Sequence, residues 1–349
     1  MIPRMLTAAR DAQGLTQKQL GDACGVPQSS LSKAEIGTRP LTDEELSKVA
    51  PHLRVTVELL SWPDDVYGFG SASFFHRKQQ SLPQKTLKRI QARVNLLRMR
   101  IQRLTNGLEV DSPLHIPHLD PDEVGGPAEA ARRLRATWRL PMGPLGNLVN
   151  AVELAGGVVV RRDFGTHRIN AISVWHPDSF PLFVLNSTLT PERQRFVLAH
   201  ELGHIVMHEG EPPRDDAERE ADSFAEELLM PASEIQRDLQ NLDLKRAAAL
   251  KPYWRVPMQS VILRAEHLGY ITTSRCRSLH AYMNKLGYLP IEPMPLEREA
   301  PSVLRDMVQV HLGDHAYSVD ELARGLGMPS EDLLDEFAPD LRPTLRAVR

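Results

Sequence analysis

Cysteine is scarce in this sequence: only Cys24 and Cys276 occur in 349 residues, far apart and each without a cysteine neighbour. That scarcity excludes a disulfide framework and a cysteine-based zinc site, and leaves both thiols as small buried hydrophobes. Long apolar runs are absent, and no apolar leader follows Met1, so the expectation is a cytoplasmic protein with no membrane partner. Nor is there an excess of one charge, with 42 Lys and Arg against 45 Asp and Glu and a formal net charge of -3. The molecule is therefore no polycation wrapped by nucleic acid, and any DNA-binding surface has to be local. No internal repeat or low-complexity tract is expected. What is there, 42% hydrophobic and 25% charged residues, is the balance of an ordinary soluble chain, and the length suggests two or three domains.

Up to about Leu60 the pattern is short helices separated by Gly and Pro, and a break follows at Trp62-Pro63-Asp64-Asp65 and Gly68 to Ser73. Ser81-Leu82-Pro83-Gln84 then opens a long helix with capping-box spacing and an apolar stripe of Leu87, Ile90, Val94, Leu97, Ile101 and Leu104. Its other face carries Lys85, Lys88, Arg89, Arg93, Arg98, Arg100 and Arg103 without an acid, which reads as a solvated face, with phosphate contact as the alternative. Pro113 to Pro127 reads as a linker. Helices follow over Ala128 to Leu140 and Leu145 to Ala155, then strands at Val158 to Arg161, Ile169 to Trp175 and Leu182 to Leu185. Thr190, Pro191 and Glu192 open the next helix. Beyond Pro231 the chain reads as mostly helical. The expected fold is multidomain and mainly α with an α+β core. An all-α domain spans 1-65, a basic helix and linker 66-124, a domain with a short mixed sheet 125-250, and a helical C-terminal region 251-349.

The motif His200-Glu201-Leu202-Gly203-His204 lies in that capped helix. Residues four apart share a helix face, so both imidazoles can reach one metal ion at about 2 Å. Glu201 lies about 100° further round, placed to reach a water on the metal as general base without binding the metal itself. Gly203 suggests close approach by another element. A third ligand is expected from the helix beginning at Glu218, where Ala221, Phe224, Ala225, Leu228 and Leu229 define an inward face. Glu218 flanks that face and is the expected ligand, whereas Glu220 lies about 100° from its centre and reads as solvated. Asp222 is placed to accept from the other ring nitrogen of a ligand histidine. His208, one turn beyond the motif, could orient substrate, stabilise an oxyanion or cap the helix end, and is carried as a catalytic candidate. His167 and His176 read as surface residues, and Arg193 and Arg195 as anchors of the helix through ion pairs.

These residues carry a resemblance. Phe196 to His204, followed by Glu218 to Ala225 and Leu228-Leu229-Met230-Pro231, is similar to the ImmA/IrrE metallopeptidase family over about Ala128 to Leu250, including Trp138, Leu140-Pro141, Asn147-Leu148 and Asn186. The resemblance implies a small gluzincin-like domain with one Zn2+ per chain on two His and one Glu, and proteolysis of helix-turn-helix repressors or antitoxins. Most members show Asn where Asp222 stands, and the pattern allows either.

Near the start, Leu15 to Val26 reads as a capped helix and a Gly turn, and Pro27 to Glu35 opens a second helix, which is helix-turn-helix spacing. This segment resembles the Xre-type repressor family over about sixty residues. By that resemblance Gln28, Ser29, Ser30 and Lys33 face the major groove of double-stranded DNA, and Gln17 holds a phosphate. Leu20, Val26, Leu31 and Ile36 read as core. A protein-interaction module is the alternative, since such domains also dimerise, and a homodimer is among the expected states. Asp22, Glu35, Asp43, Glu44 and Glu45 leave the segment nearly charge-balanced, so a lone copy should bind DNA weakly and salt-sensitively. The combined expectation is a zinc-dependent regulatory endopeptidase that cleaves a repressor or antitoxin in stress-response or toxin-antitoxin control. The alternative is a non-catalytic DNA-binding regulator or antitoxin with a structural zinc site, which would not require Glu201.

Overall fold

Thr16, Thr42 and Ser318 each accept a hydrogen bond from the backbone N–H three residues on, while Gln19, Glu45 and Glu321 reach back to them, so three helices begin on reciprocal caps. These helices belong to a computed structural model that describes residues 1–68, 74–75, 82–108, 112–175, 179–208, 210, 214–289 and 291–341. Ser81 and His176, both singled out in the sequence, lie outside the described residues. The chain forms two compact units. One comprises Met1–Phe69, Gln79–Val110 and Ser302–Arg349, the other Gly70–Lys78 and Asp111–Pro301.

In chain order the first unit holds α1 (Pro3–Ala12), α2 (Gln17–Cys24), α3 (Gln28–Ile36), α4 (Asp43–His52) and α5 (Gln84–Thr105). The second holds α6 (Pro121–Val124), α7 (Pro127–Thr137), α8 (Leu148–Leu154), α9 (Pro191–His208), α10 (Ala217–Leu229), α11 (Ala232–Ile235), α12 (Leu244–Trp254), α13 (Met258–His267) and α14 (Thr273–Lys285). The first unit resumes with α15 (Val303–Gly313), α16 (Val319–Gly325) and α17 (Ser330–Phe337).

In the first unit Met5, Leu6, Leu20, Leu31, Leu53, Leu59 and Leu60 are fully buried, and α5 completes this core with Ala92, Leu96 and Met99. The expected solvated basic face of α5 holds at Lys85, Lys88 and Arg93, which are exposed, and is corrected toward the C-terminal end of the helix. Arg98 and Arg100 are buried; Arg98 donates to the Asp65 carbonyl at 2.8 Å and lies over the Tyr67 ring, and Arg100 donates to the Leu326 carbonyl at 3.3 Å. Arg103 pairs with Asp64 at 2.7 Å and stacks on Trp62, and Arg93 donates to the Ala12 carbonyl. The helix has no acids of its own because its partners come from other segments, the C-terminal one included.

That C-terminal segment overturns the expectation of no internal repeat. Thr16 and Ser318, Leu20 and Leu322, Gly25 and Gly327, Pro27 and Pro329, Leu31 and Leu333 stand at one constant offset. The structure repeats with them: α16 and α17 follow the same cap, left-handed glycine and proline-started second helix as α2 and α3. The likeness lies in spacing and caps, with few identical residues, so it is easily missed in the letters alone.

The second unit is built on a mixed sheet of β1 (Phe74–Phe75), β2 (Val158–Arg162), β3 (Ala171–Val174) and β4 (Leu182–Asn186), in the order β1-β3-β4-β2. β2 runs parallel to β4, and β3 pairs antiparallel with both β4 and β1. Every residue of β3 and β4 is buried, because α9 covers them. α10 packs between α9 and α7 through Phe224, Ala225, Leu228 and Leu229. The stretch read as a linker is packed instead: Ile116 is buried, Leu119 N–H donates to the Val206 carbonyl at 2.8 Å, and the Trp138 indole donates to the His115 carbonyl. The division at 250 also differs from the compact units, since Val256, Met258, Val261, Cys276 and Leu279 fill this core whereas α15 to α17 join the other. Helical stretches without a motif carry no sign of which core they serve. Among the described residues no helix is long and apolar enough to cross a membrane.

Candidate metal centre and helix-turn-helix

His200, His204 and His208 recur every fourth residue along one face of α9, and α10 lies against that face. The close approach depends on Gly203, where a Cβ would stand 3.0 Å from the Phe224 ring. α10 thereby presents Glu218, Glu220 and Asp222 to the three imidazoles. The Nε2 atoms of His200 and His204 lie 3.1 Å apart, and the Glu218 carboxylate faces both, with Oε2 3.6 Å from His200 Nε2 and Oε1 3.6 Å from His204 Nε2. Ligands bound at about 2 Å and tetrahedral angles stand about 3.3 Å from each other, so this nitrogen and carboxylate set fits one small divalent cation. Glu218 therefore takes the place expected for the third ligand.

Two partners orient the site. The Asp222 carboxylate lies 2.8 Å from His200 Nδ1, which leaves Nε2 for the cation. Burial would lower the His200 imidazolium, but Asp222 and Glu218 outweigh it and lift it to about 9. His204 is pushed down by burial; Glu218, despite its own burial, is held well below the usual carboxylate range by the two imidazoles. Glu201 is held by β3, where the Ser173 hydroxyl donates to its Oε2 at 2.5 Å. Burial pushes the Glu201 carboxyl up to about 7, against the pull of His200 and Ser173. Ser173, a fully buried polar residue in an apolar strand, was not expected at the site; that polarity is the sequence signal that could have found it.

Two expectations are corrected. Glu220 is neither solvated nor a ligand: its Oε2 lies 2.9 Å from His208 Nε2. His208 is 3% exposed and its Nδ1 lies 3.1 Å from His204 Nδ1, so both ring nitrogens are engaged and the ring is closed to substrate. Arg195 pairs with Glu299 and donates to the Gly146 carbonyl, anchoring α9, and His167 is exposed.

In the helix-turn-helix, Gln28, Ser29 and Lys33 of α3 are exposed. Ser30 is not: it is buried with Arg39 as its hydrogen-bond donor at 3.5 Å, so it cannot read a base edge. Ile36, expected in the core, is 72% exposed at the end of α3, because the chain turns off at Gly37 before that position meets a neighbour. Gln17 donates to Glu35 and accepts from Gln28, both at 2.9 Å.

Residues 152–266 match the model of the IrrE N-terminal-like domain, a peptidase family, and residues 6–60 match a helix-turn-helix model. No curated protein and no solved structure matches the chain. The first match spans α9 and α10 with every residue of the metal centre, and the second spans α2 and α3. The chain thus couples a region of the IrrE N-terminal-like, metallopeptidase-like type to an Xre-type helix-turn-helix domain suited to DNA binding.

Proposed function

We propose that this protein is a zinc-dependent endopeptidase that cuts a helix-turn-helix repressor or antitoxin and reaches its operator DNA through α3. The observation that carries the catalytic reading is the buried Glu201 carboxyl, set beside a cation site that it does not join. A site that only braces the fold has no use for it. Two imidazoles and one carboxylate suit Zn2+ and leave a coordination position open. A cation there supplies a Lewis acid that polarises the scissile carbonyl and acidifies water. Glu201 takes the proton of the attacking water on its carboxylate and returns it to the leaving amine. Burial, which raises this carboxyl above the usual carboxylate range, favours its taking up a proton. His200, His204 and Glu218 hold the cation, Asp222 and Ser173 orient the groups that do the work, and Gln28, Ser29 and Lys33 contact DNA.

Replacement Glu201→Gln tests the reading, with a helix-turn-helix repressor that the protein binds as substrate. The variant should keep its zinc and its fold and lose cleavage by at least about 100-fold, since the amide cannot accept the proton. Undiminished cleavage would overturn the general-base role. A wild-type protein that binds both zinc and the repressor but never cuts would instead be a non-catalytic regulator.

A further inference from the structure

The third histidine of α9 has no place in proton transfer, yet both of its ring nitrogens are held. His208 is buried, its Nδ1 faces His204 Nδ1 at 3.1 Å, and its Nε2 faces the Glu220 carboxylate at 2.9 Å. Arg214 lies on the far side of that carboxylate, 3.9 Å from Glu220 Oε1. Only one arrangement of protons satisfies both contacts when His204 offers Nε2 to a cation. The remaining proton of His204 sits on Nδ1 and is donated to His208. His208 must then accept on Nδ1, so its own proton is on Nε2 and is donated to Glu220.

We propose that His208 and Glu220 form a positioning relay for His204: a carboxylate on α10 acts through a second imidazole to fix the tautomer and ring orientation of a metal ligand. The relay rests on the metal-centre reading above. It gives the two ligand histidines matching support from one helix. His200 is held directly by Asp222, and His204, one turn further along, is held at one remove by Glu220. It also accounts for a carboxylate at position 220, which sits outside the inward face of α10 and makes no contact with the ligand atoms. His208 is a positioning residue; its ring has no opening toward substrate.

The test is zinc affinity by chelator competition on the full-length protein, with thermal unfolding of the metal-free form as control. Outer partners of ligand histidines are worth about 10- to 100-fold in affinity, so His208→Ala should weaken zinc by that factor, beyond what any loss of metal-free stability accounts for. His208→Gln should recover most of the loss, because its amide can accept from His204 and donate to Glu220. Adding Glu220→Ala to His208→Ala should weaken zinc no further, since the two act as one path. The visible spectrum of the cobalt-loaded protein should shift in His208→Ala and return in His208→Gln. Wild-type affinity in His208→Ala, or full additivity of the double variant, overturns the relay. Imidazole 15N NMR reads the wild type without relying on any variant's folding: a proton on Nε2 of His208 is expected, and one on Nδ1 refutes the proposal. If the wild type binds zinc and the variants do not differ from it, the relay alone falls; if the wild type binds none, the metal centre itself falls.

Discussion

Gly203 shows how one missing side chain shapes the site. A Cβ there would lie 3.0 to 3.3 Å from three atoms of Phe224, a fully buried ring with no room to retreat. Gly203→Ala gains up to about 1 kcal/mol of helix propensity. It loses about 1–3 kcal/mol to overpacking and shifts α10, the helix that carries Glu218. The expected outcome is a lower melting temperature together with weaker zinc binding, and partial restoration of both by Phe224→Leu; unchanged zinc affinity would show that α10 does not need this contact to place Glu218. The ligands, Glu201 and Asp222 were legible in the sequence because the three-and-four spacing of a helix fixes what shares a face. Ser173, and the pairing of Glu220 with His208, were not, because each meets its partner across elements whose packing the letters do not encode. Ser30 and Ile36 were misassigned for a related reason: at the ends of a short helix the neighbouring loop, rather than periodicity, decides which positions are covered.

At the level of elements, the two capped helix pairs share their cap and turn pattern and differ in chemistry. The exposed positions of α3 carry Gln28, Ser29 and Lys33, whereas α17 carries Glu331, Asp332, Asp335 and Glu336. Phosphate repels such a helix, and part of its charge is already used: Arg54 donates to Asp332 at 2.9 Å and Arg100 lies 3.6 Å from Glu336. The charge thus favours α3 over α17 as the helix that would face DNA under the proposed function. The turns separate the copies as well. Gly25 and Gly327 both adopt the left-handed backbone, with φ of 72° and 64°. Around Gly25 there is open space, but a Cβ on Gly327 would meet Leu59 at 2.8 Å. Gly25→Ala should cost only the backbone strain, about 1 kcal/mol, and Gly327→Ala distinctly more. Parallel thermal melts of the two variants decide it, and equal costs would mean that α16 and α17 do not bear on Leu59. The cap and the glycine turn are legible in the first copy alone; the second reads as plain helix, and their kinship stays hidden because it resides in spacing with few shared residues.

For the whole molecule, the DNA-binding unit is discontinuous in sequence. Its core is completed by Ala92, Leu96 and Met99 of α5. The C-terminal segment supplies His311 to the Leu104 carbonyl, the Leu326 carbonyl to Arg100, the Gly327 carbonyl to the Thr56 N–H, and Asp332 to Arg54. The metal ligands all lie within Asp111–Pro301. A chain ending at residue 301 should therefore retain one zinc with wild-type affinity while its N-terminal helices melt earlier and its affinity for operator DNA falls. A fragment of residues 1–65 is expected to fare worse, because removing α5 uncovers several fully buried leucines, each worth about 1.5–3 kcal/mol when buried, against a typical domain stability of about 5–15 kcal/mol. Circular dichroism melts and DNA titration at two salt concentrations read both effects, and a salt-dependent loss would assign the phosphate contacts to the intact unit. A cooperative melt and full operator affinity in the 1–65 fragment would show instead that the helix-turn-helix folds alone, and that α5 and the C-terminal repeat serve some purpose other than supporting it.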